Sequence, residues 1–107
     1  DARRMEVFTA LFDKNLTLIK EPFATILNEK SFSDTLKEDH IVFTGNGSKK
    51  FRSLINDNVN AEIVEHNIDA RNMISLSAQY YQEKNFSDVA YCEPYYVKDV
   101  YISKKEI

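Results

Sequence analysis

Apolar residues open the chain in a run that predicts a β-strand over residues 5–12. Both faces of this run are largely apolar, which is typical of a strand with packing partners on each side. The turn-forming residues 13–15 separate it from a second apolar run over 16–19, so the two runs predict an antiparallel hairpin. Pro22 has no N–H for the ladder, and we expect it to interrupt the second strand and leave residues 23–27 as a short edge strand.

Helix and strand patterns alternate in the middle of the chain. Asn28 predicts the N-cap of a helix that ends at Glu38, with Phe32 and Leu36 as buried contacts at i, i+4 spacing. An apolar run over 41–44 then predicts a short strand.

A glycine turn follows that strand. The Gly-Asn-Gly of residues 45–47 stops the strand, and Ser48 predicts the N-cap of a second helix over 49–56. A further strand is predicted over 61–65. The second helix presents three apolar residues inward: Phe51, Leu54 and Ile55.

The longest predicted helix begins after Asp69, which is its expected N-cap. Its stripe follows the spacing i, i+3, i+4, i+7, i+8 and i+11, a strong helical period. The stripe consists of Ala70, Met73, Ile74, Ser77, Ala78 and Tyr81.

The order of these elements predicts an α/β fold in one domain over residues 1–107. Because a crossover between parallel strands is right-handed, we expect the later strands to join the hairpin's sheet in parallel. The result would be a mixed sheet that starts with a hairpin and carries helices on both faces. An apolar fraction of 43%, with only two glycines and two prolines, argues against disorder and against a loop-rich chain.

Charge and cysteine content narrow the function classes. The 14 Lys and Arg residues are outnumbered by 17 Asp and Glu, so the net charge of −3 does not call for a polyanionic partner. Cys92 is the lone cysteine and forms no internal disulfide, and no apolar run approaches the roughly 20 residues of a membrane span. We therefore expect a cytoplasmic protein without membrane contact. Since the strand pattern starts almost at Asp1, we also expect the chain to be a piece of a longer protein.

Metal and protease chemistry are not favoured by the residue spacing. The two histidines, His40 and His66, are far apart, and neither belongs to a motif that places two metal ligands on one helix face. We therefore expect no metal site and no catalytic residue. A nucleophilic pair of Cys92 with a histidine stays open, since a dyad needs only closeness in space.

The turn formed by Gly45, Asn46, Gly47 and Ser48 is the better candidate for a binding site. Two glycines between a strand and a helix let backbone approach a phosphate, and a helix N-terminus favours an anion. The turn lacks the third glycine of a dinucleotide motif and the Gly-Lys-Ser/Thr of a P-loop. The simpler interpretation, which we favour, is a tight turn in which glycine relieves backbone crowding.

Tyrosines are concentrated near the end of the chain. Tyr91, Tyr95, Tyr96 and Tyr101 fall within 11 positions. They could stack on nucleobases, but the few basic residues there favour a contact with protein. We expect the tail over residues 89–107 to pack against another lobe or a partner.

Three segments resemble the TsaB (YeaZ) family, in that family's order. Residues 1–8, Asp-Ala-Arg-Arg-Met-Glu-Val-Phe, resemble the Asp-Ala-Arg-x-x-x-Val-Tyr segment that opens the family's second lobe. Residues 45–47 resemble that lobe's Gly-Asp/Asn-Gly turn, and residues 93–98, Glu-Pro-Tyr-Tyr-Val-Lys, are similar to its closing Pro-x-Tyr-Leu-Arg. Phe8 stands where Tyr is usual, and Lys98 stands where Arg is usual, which removes a bidentate donor.

The resemblance implies the C-terminal lobe of a two-lobed protein, with the ribonuclease H-like fold of the actin and sugar-kinase superfamily. Family members were long labelled glycoprotease-like, but the metal-binding histidine pair belongs to their TsaD-type paralogue. They support tRNA threonylcarbamoyladenosine synthesis as non-catalytic scaffolds, by binding that catalytic paralogue, with a TsaE-type ATPase as a further partner and with tRNA indirectly. The resemblance implies no cofactor in this chain and leaves ATP open for the full complex.

The resemblance also assigns positions to candidate residues. Arg3, Arg4 and Glu6 would lie beside the cleft between lobes, together with a nucleotide-facing turn over residues 45–48. A homodimer of this chain is expected if the tail's aromatic residues are left exposed. Two other functions stay open: a nucleotide-binding phosphotransferase or hydrolase lobe of the same superfamily, and an interaction module unrelated to tRNA. The interface candidates are Tyr91, Tyr95, Tyr96 and Lys98.

Overall fold

The structure is a computed structural model that describes residues 1–55 and 57–98. The predictions for position 56 of the second helix and for residues 99–107 of the tail, among them Tyr101, lie outside the described residues. The order of elements confirms an α/β protein that begins with a β-hairpin. In chain order the elements are β1 (Glu6–Phe12), β2 (Leu18–Ile26), α1 (Ser33–Glu38), β3 (Ile41–Thr44), α2 (Ser48–Arg52), β4 (Ala61–Val64), a 3₁₀ helix (Ala70–Met73) and α3 (Ile74–Gln82).

Strands β1 and β2 form the predicted antiparallel hairpin. Glu6 lies opposite Ile26 at its open end. Asp13 builds the turn, because its carboxylate accepts the backbone N–H groups of Asn15 (2.8 Å) and Thr17 (3.0 Å). A short polar side chain that bonds to backbone two residues ahead is a common way of closing a turn.

The expected break at Pro22 is wrong, since β2 runs through it. The pairing register shifts where β1 passes from Thr9 to Leu11. Pro22 lies in the facing part of β2, between the partners of those two residues. A residue without an N–H is tolerated at such an irregularity.

Asn28 closes a turn and does not cap α1, which begins only at Ser33. The Asn28 side chain accepts the backbone N–H of Lys30 at 2.8 Å. Phe32 occupies the N-cap position with φ of 60°. The predicted contacts of this helix are confirmed, because Leu36 is buried and Phe32 packs against the core.

A small core lies where the hairpin, β3 and α2 meet. Its buried residues are Val7, Leu27 and Phe51, and Phe51 is only 3% exposed. The ring centroids of Phe32, Phe43 and Phe51 are 4.9 to 5.7 Å apart, with tilted or edge-to-face rings. Such geometry adds to the burial of apolar area. The residues expected to face inward from the second helix all pack in this cluster, but α2 ends at Arg52, short of its predicted end, so two of them follow the helix: Phe51, Leu54 and Ile55.

The expected single mixed sheet is not present among the described residues. Strand β3 pairs with β4 in parallel, with Ile41 opposite Ala61, and the hairpin forms a separate two-stranded sheet. Side chains of β1 and β3 line a cavity of about 90 Å³ between the two strands.

Within residues 1–55 and 57–98, helices also do not cover both faces of the hairpin. The core lies against the face that carries Val7, whereas Phe8, Phe12 and Ile26 on the other face are exposed. An apolar sheet face left open in this way is a surface that further protein would cover.

The predicted cap at Asp69 starts the 3₁₀ helix Ala70–Met73, and α3, the longest helix, follows it directly from Ile74. The Asp69 carboxylate accepts the N–H of Arg71, and the Asn72 side chain accepts the N–H of Asp69, both at 2.8 Å. However, its apolar stripe is exposed, with Ile74 at 64% and Tyr81 at 73%. Within the described residues the stripe has a local aromatic contact, with 5.8 Å between the ring centroids of Tyr81 and Phe86, and it stays exposed.

The overall dimensions reflect this missing contact. The radius of gyration is 17.1 Å, whereas a compact chain of this length has about 13 Å. None of the helices in the described residues is long and apolar enough to cross a bilayer.

Candidate functional site

The candidate site lies where the turn after β3 meets the beginning of β1. Gly45 has φ of +102°, a conformation that residues with a Cβ rarely adopt. At Gly47 the backbone is ordinary, but a Cβ there would lie 2.9 Å from Cγ1 of Val7. The first glycine therefore serves the turn, and the second lets α2 approach β1.

Ser48 does not cap α2, contrary to expectation. Its hydroxyl donates to the carbonyl of Gly45 at 2.8 Å, so its side chain closes the turn. Gly47 occupies the N-cap position instead. The side chain of Ser48 is buried and already partnered, which favours the tight-turn interpretation over a phosphate-binding one.

Lys50 is the residue of this site that the sequence did not reveal. Its side chain is 19% exposed and forms an ion pair with the carboxylate of Asp1. Its ammonium also donates to the backbone carbonyls of Glu6 (3.1 Å) and Ala2 (3.4 Å). With three oxygen partners, Lys50 stabilises the entry to β1 and is not available to a ligand. Its neighbour Lys49 is exposed, and no local pattern distinguishes the two lysines.

The opening segment folds back onto the glycine turn. The backbone nitrogen of Asp1 donates to Oδ1 of Asn46 at 2.7 Å. The N–H of Glu6 donates to the carbonyl of Arg3 at 3.2 Å, and Arg4 has φ of 58°, so the residues before β1 form a tight turn. Arg3 and Arg4 are exposed on this turn. Of the expected cleft residues, Glu6 and Asn46 thus contribute contacts within the site.

The tail returns to the same place through Lys98. Its ammonium lies 3.1 and 3.2 Å from the two carboxylate oxygens of Glu6. The structure therefore brings together three segments that are far apart in sequence. The tyrosines expected at an interface, Tyr91, Tyr95 and Tyr96, are exposed.

The cavity beside this site is too small for a nucleotide. It holds about 90 Å³, and its walls include Val7, Phe43 and Phe51. Small-molecule sites usually occupy roughly 300 Å³ or more. The walls combine these apolar side chains with polar residues, among them Asp1, Thr44 and Asn46.

The histidines and the cysteine lie apart from this site. His40 contacts Glu62, with 3.3 Å between Nε2 and Oε2, and His66 contacts the amide of Asn72 at 3.3 Å. The Cys92 thiol contacts the carbonyl of Val89 at 3.9 Å. Within residues 1–55 and 57–98, no three His, Cys, Asp or Glu side chains form a group that could hold a metal ion.

One carboxylate in the described chain has a clearly altered acidity. Hydrogen bonds from the Arg71 side chain and backbone lower the pKa of Asp69, and the same contact raises the pKa of Arg71. The lowered value keeps Asp69 ionised at neutral pH as a helix cap. A group in that state does not serve as a general acid.

Comparisons with known proteins do not place the chain in a family: no family model, curated protein or solved structure matches it.

Proposed function

We propose that the chain is the second lobe of a TsaB-type scaffold, which supports tRNA threonylcarbamoyladenosine synthesis by binding a TsaD-type catalytic paralogue. The observation that carries the proposal is the convergence of the three segments on which the resemblance rests. The opening segment contacts the glycine turn through Asp1 and Asn46, and the tail contacts the opening segment through Lys98 and Glu6. Motifs that meet in space are more specific than the same motifs merely ordered along a chain.

The geometry of this site favours a scaffold over an enzyme. The ammonium of Lys50, in the helix that follows the glycine turn, is committed to oxygens of the same chain. The adjoining cavity holds about 90 Å³, less than a nucleotide occupies. The contacts of this site therefore stabilise the fold of the chain, and the exposed side of the site is left for a protein partner. A TsaE-type ATPase is a further candidate for that partner.

The proposal includes a ribonuclease H-like lobe with helices on both faces. Two features support it: the exposed outer face of the hairpin, which carries Phe8 and Ile26, and the exposed apolar stripe of α3. Both surfaces are apolar and belong to one chain. We propose that α3 covers the outer face of the hairpin in the two-lobed protein.

The position of α3 is testable by fluorescence because the chain contains no tryptophan. The test uses the full-length protein. Any tryptophan in its first lobe is replaced beforehand, so that the introduced tryptophan is the only source of the emission. Tyr81→Trp lies in the stripe and should then show blue-shifted emission and protection from acrylamide, whereas the control Val59→Trp, in the exposed loop before β4, should not. Emission typical of water at both positions would overturn the proposed place of α3.

The proposed function is tested by reconstitution. Full-length protein is combined with its TsaD-type and TsaE-type partners, tRNA, ATP and threonylcarbamoyl-adenylate, and the modified nucleoside is quantified. Product formation should depend on this protein. Lys50→Met should reduce product because it removes the contacts of Lys50 with the opening segment, whereas the adjacent Lys49→Met should not. Equal product without the protein would refute the scaffold function.

A nucleotide titration separates the scaffold from the phosphotransferase or hydrolase alternative. Calorimetry with ATP and this chain should show no binding or binding only in the millimolar range. Micromolar affinity would favour the enzyme. Capture of partners other than a TsaD-type protein by the full-length protein would favour a general interaction module.

A further inference from the structure

A second, larger cavity lies between the hairpin and the turn that precedes α1. It holds about 260 Å³, close to the lower range of small-molecule sites. One wall comes from the middle of the hairpin, and the other comes from residues 30–35. Phe32 lines both this cavity and the smaller one beside the glycine turn. None of the residues assigned to the proposed function lines the larger cavity.

The charged groups of this cavity are mainly cationic. Lys20 and Lys30 both line it, and neither forms a salt bridge with any residue in the described ranges 1–55 and 57–98. The Lys20 ammonium lies 3.9 Å from the ring centroid of Phe23, so an aromatic face holds it at the cavity. Asp34 is the one lining carboxylate, and it pairs with Lys37 at 3.4 Å. A cationic pocket in a chain of net charge −3 favours an anionic ligand.

Hydroxyl groups complete the polar lining, and they belong to Thr25, Ser31, Ser33 and Thr35.

Packing fixes the position of Phe32 in the wall of the cavity. The backbone at Phe32 has φ of 60°, a conformation that is unusual for an aromatic residue. The edge contacts of this ring with Phe43 (5.3 Å) and Phe51 (5.7 Å) keep it in place. Such strain persists only where the surrounding packing enforces it.

Apolar walls make up the rest of the cavity. Leu11 and Phe23 of the hairpin contribute them, together with the ring of Phe32. Amines and hydroxyls can donate hydrogen bonds to the oxygens of a tetrahedral anion, and a lysine ammonium attracts such an anion as a point charge. The apolar walls suit a ring. We propose that this cavity binds a small phosphomonoester that carries a flat apolar group.

The test uses phenyl phosphate as the probe and two-dimensional amide NMR of the 107-residue chain as the readout. Saturable shifts are expected at residues 30–35 and in the middle of the hairpin. Inorganic phosphate and phenol, which each represent half of the probe, should bind at least about tenfold more weakly. Affinity should also fall as salt is raised, because the interaction is with exposed amines.

Charge-matched variants separate this site from a general effect of charge. The double variant Lys20→Gln, Lys30→Gln should weaken binding of phenyl phosphate about tenfold or more, since two charged contacts are lost. The control Lys49→Gln, Lys84→Gln changes the net charge equally away from the cavity and should bind like the original chain. Dispersed amide spectra establish that both variants fold, and Ser33→Ala tests the hydroxyls with little change of shape.

Three outcomes would overturn the proposal. Shifts that do not saturate would show that the cavity holds no specific ligand. Equal weakening in both double variants would show attraction to net charge alone. Equal affinity for inorganic phosphate and phenyl phosphate would remove the role of the apolar walls.

Discussion

The region from β1 to β4 and the region from residue 65 to 98 both contain regular local structure but differ in packing. The first region holds the buried core around Val7, Leu27 and Phe51. In the second, every residue is exposed except the half-buried Val97. Nevertheless, α3 at nine residues is longer than α1 or α2, and the 3₁₀ helix that leads into it has the one capping box among the described helices.

The difference teaches that a helix signal and a packing signal are separate properties of a sequence. The cap at Asp69 acts within a few residues, so it favours the start of this helical segment without tertiary contacts. Short helices are nevertheless marginal in water unless an apolar face is buried. The stability of α3 therefore depends on a surface that covers its stripe, whereas α2 depends on contacts already present.

Truncating a core residue should break the first region with the largest effect. Phe51→Ala should lower the free energy of unfolding by about 3 kcal/mol, because it removes a buried ring from the aromatic cluster. Tyr81→Ala, in the exposed stripe of α3, should cost less than about 0.5 kcal/mol. Urea denaturation of the two variants measures the contrast. Equal losses would mean that α3 is packed as tightly as α2.

The close approach at Gly47 gives a second test of the packed region. Gly47→Ala should destabilise by about 1–3 kcal/mol, because the new methyl group would meet the side chain of Val7. Val7→Ala in the same chain should recover part of that loss, so the two changes should be non-additive. Gly45→Ala is the control: its cost comes from backbone conformation, and Val7→Ala should not relieve it. Additive losses for Gly47 and Val7 would show that their contact is not limiting.

The link between the two regions should contribute less. Lys98→Ala removes the ion pair with Glu6, which is partly exposed, and should cost about 0.5 kcal/mol or less in the free energy of unfolding. A double-mutant cycle with Glu6→Gln isolates the pair, and the coupling should shrink at high salt. A coupling that salt does not change would indicate a buried contact between the regions.

The smallest expected effect is confined to α3 and appears only in acid. Folding lowers the pKa of Asp69, so its contribution is present above the ordinary carboxyl value and is lost as pH falls through the lowered one. Helical amide signals of residues 70–82 should weaken below about pH 4 while those of the core persist.

Asp69→Asn provides the matched control for this titration. Asparagine caps a helix without an ionisable group, so the acid-dependent loss in residues 70–82 should disappear. If the loss persists in that variant, another carboxylate controls the helix.

Local features of the fold were largely predictable. The turn at Asp13, the strand over Ile41–Thr44 and the cap at Asp69 all follow from residues that are close together in sequence. The break predicted at Pro22 was wrong because β2 continues through an irregularity, where Glu21 and Pro22 lie between the partners of Thr9 and Leu11 while β1 has Ala10 alone.

The site was predictable in part. Gly45 and Gly47 marked a tight turn, and the structure gives each a physical reason. Lys50 was missed because its partners are oxygens about 44 to 49 positions earlier in the chain, and Lys49 beside it has the same local pattern. The cavity with Lys20 and Lys30 was also missed, since the two lysines are separated by a strand end and a turn.

Residue order and hydrophobic spacing were sufficient for the types and sequence of the elements, because those depend on hydrogen bonds and side-chain periods within a few residues. Long-range packing determined which faces are buried: Val7 faces inward while Phe8 beside it is exposed, although both were equally apolar in the pattern. It also determined that β3 pairs with β4 and not with β1. The reason is that burial and strand pairing depend on surfaces from distant parts of the chain, whose fit no short stretch of sequence records.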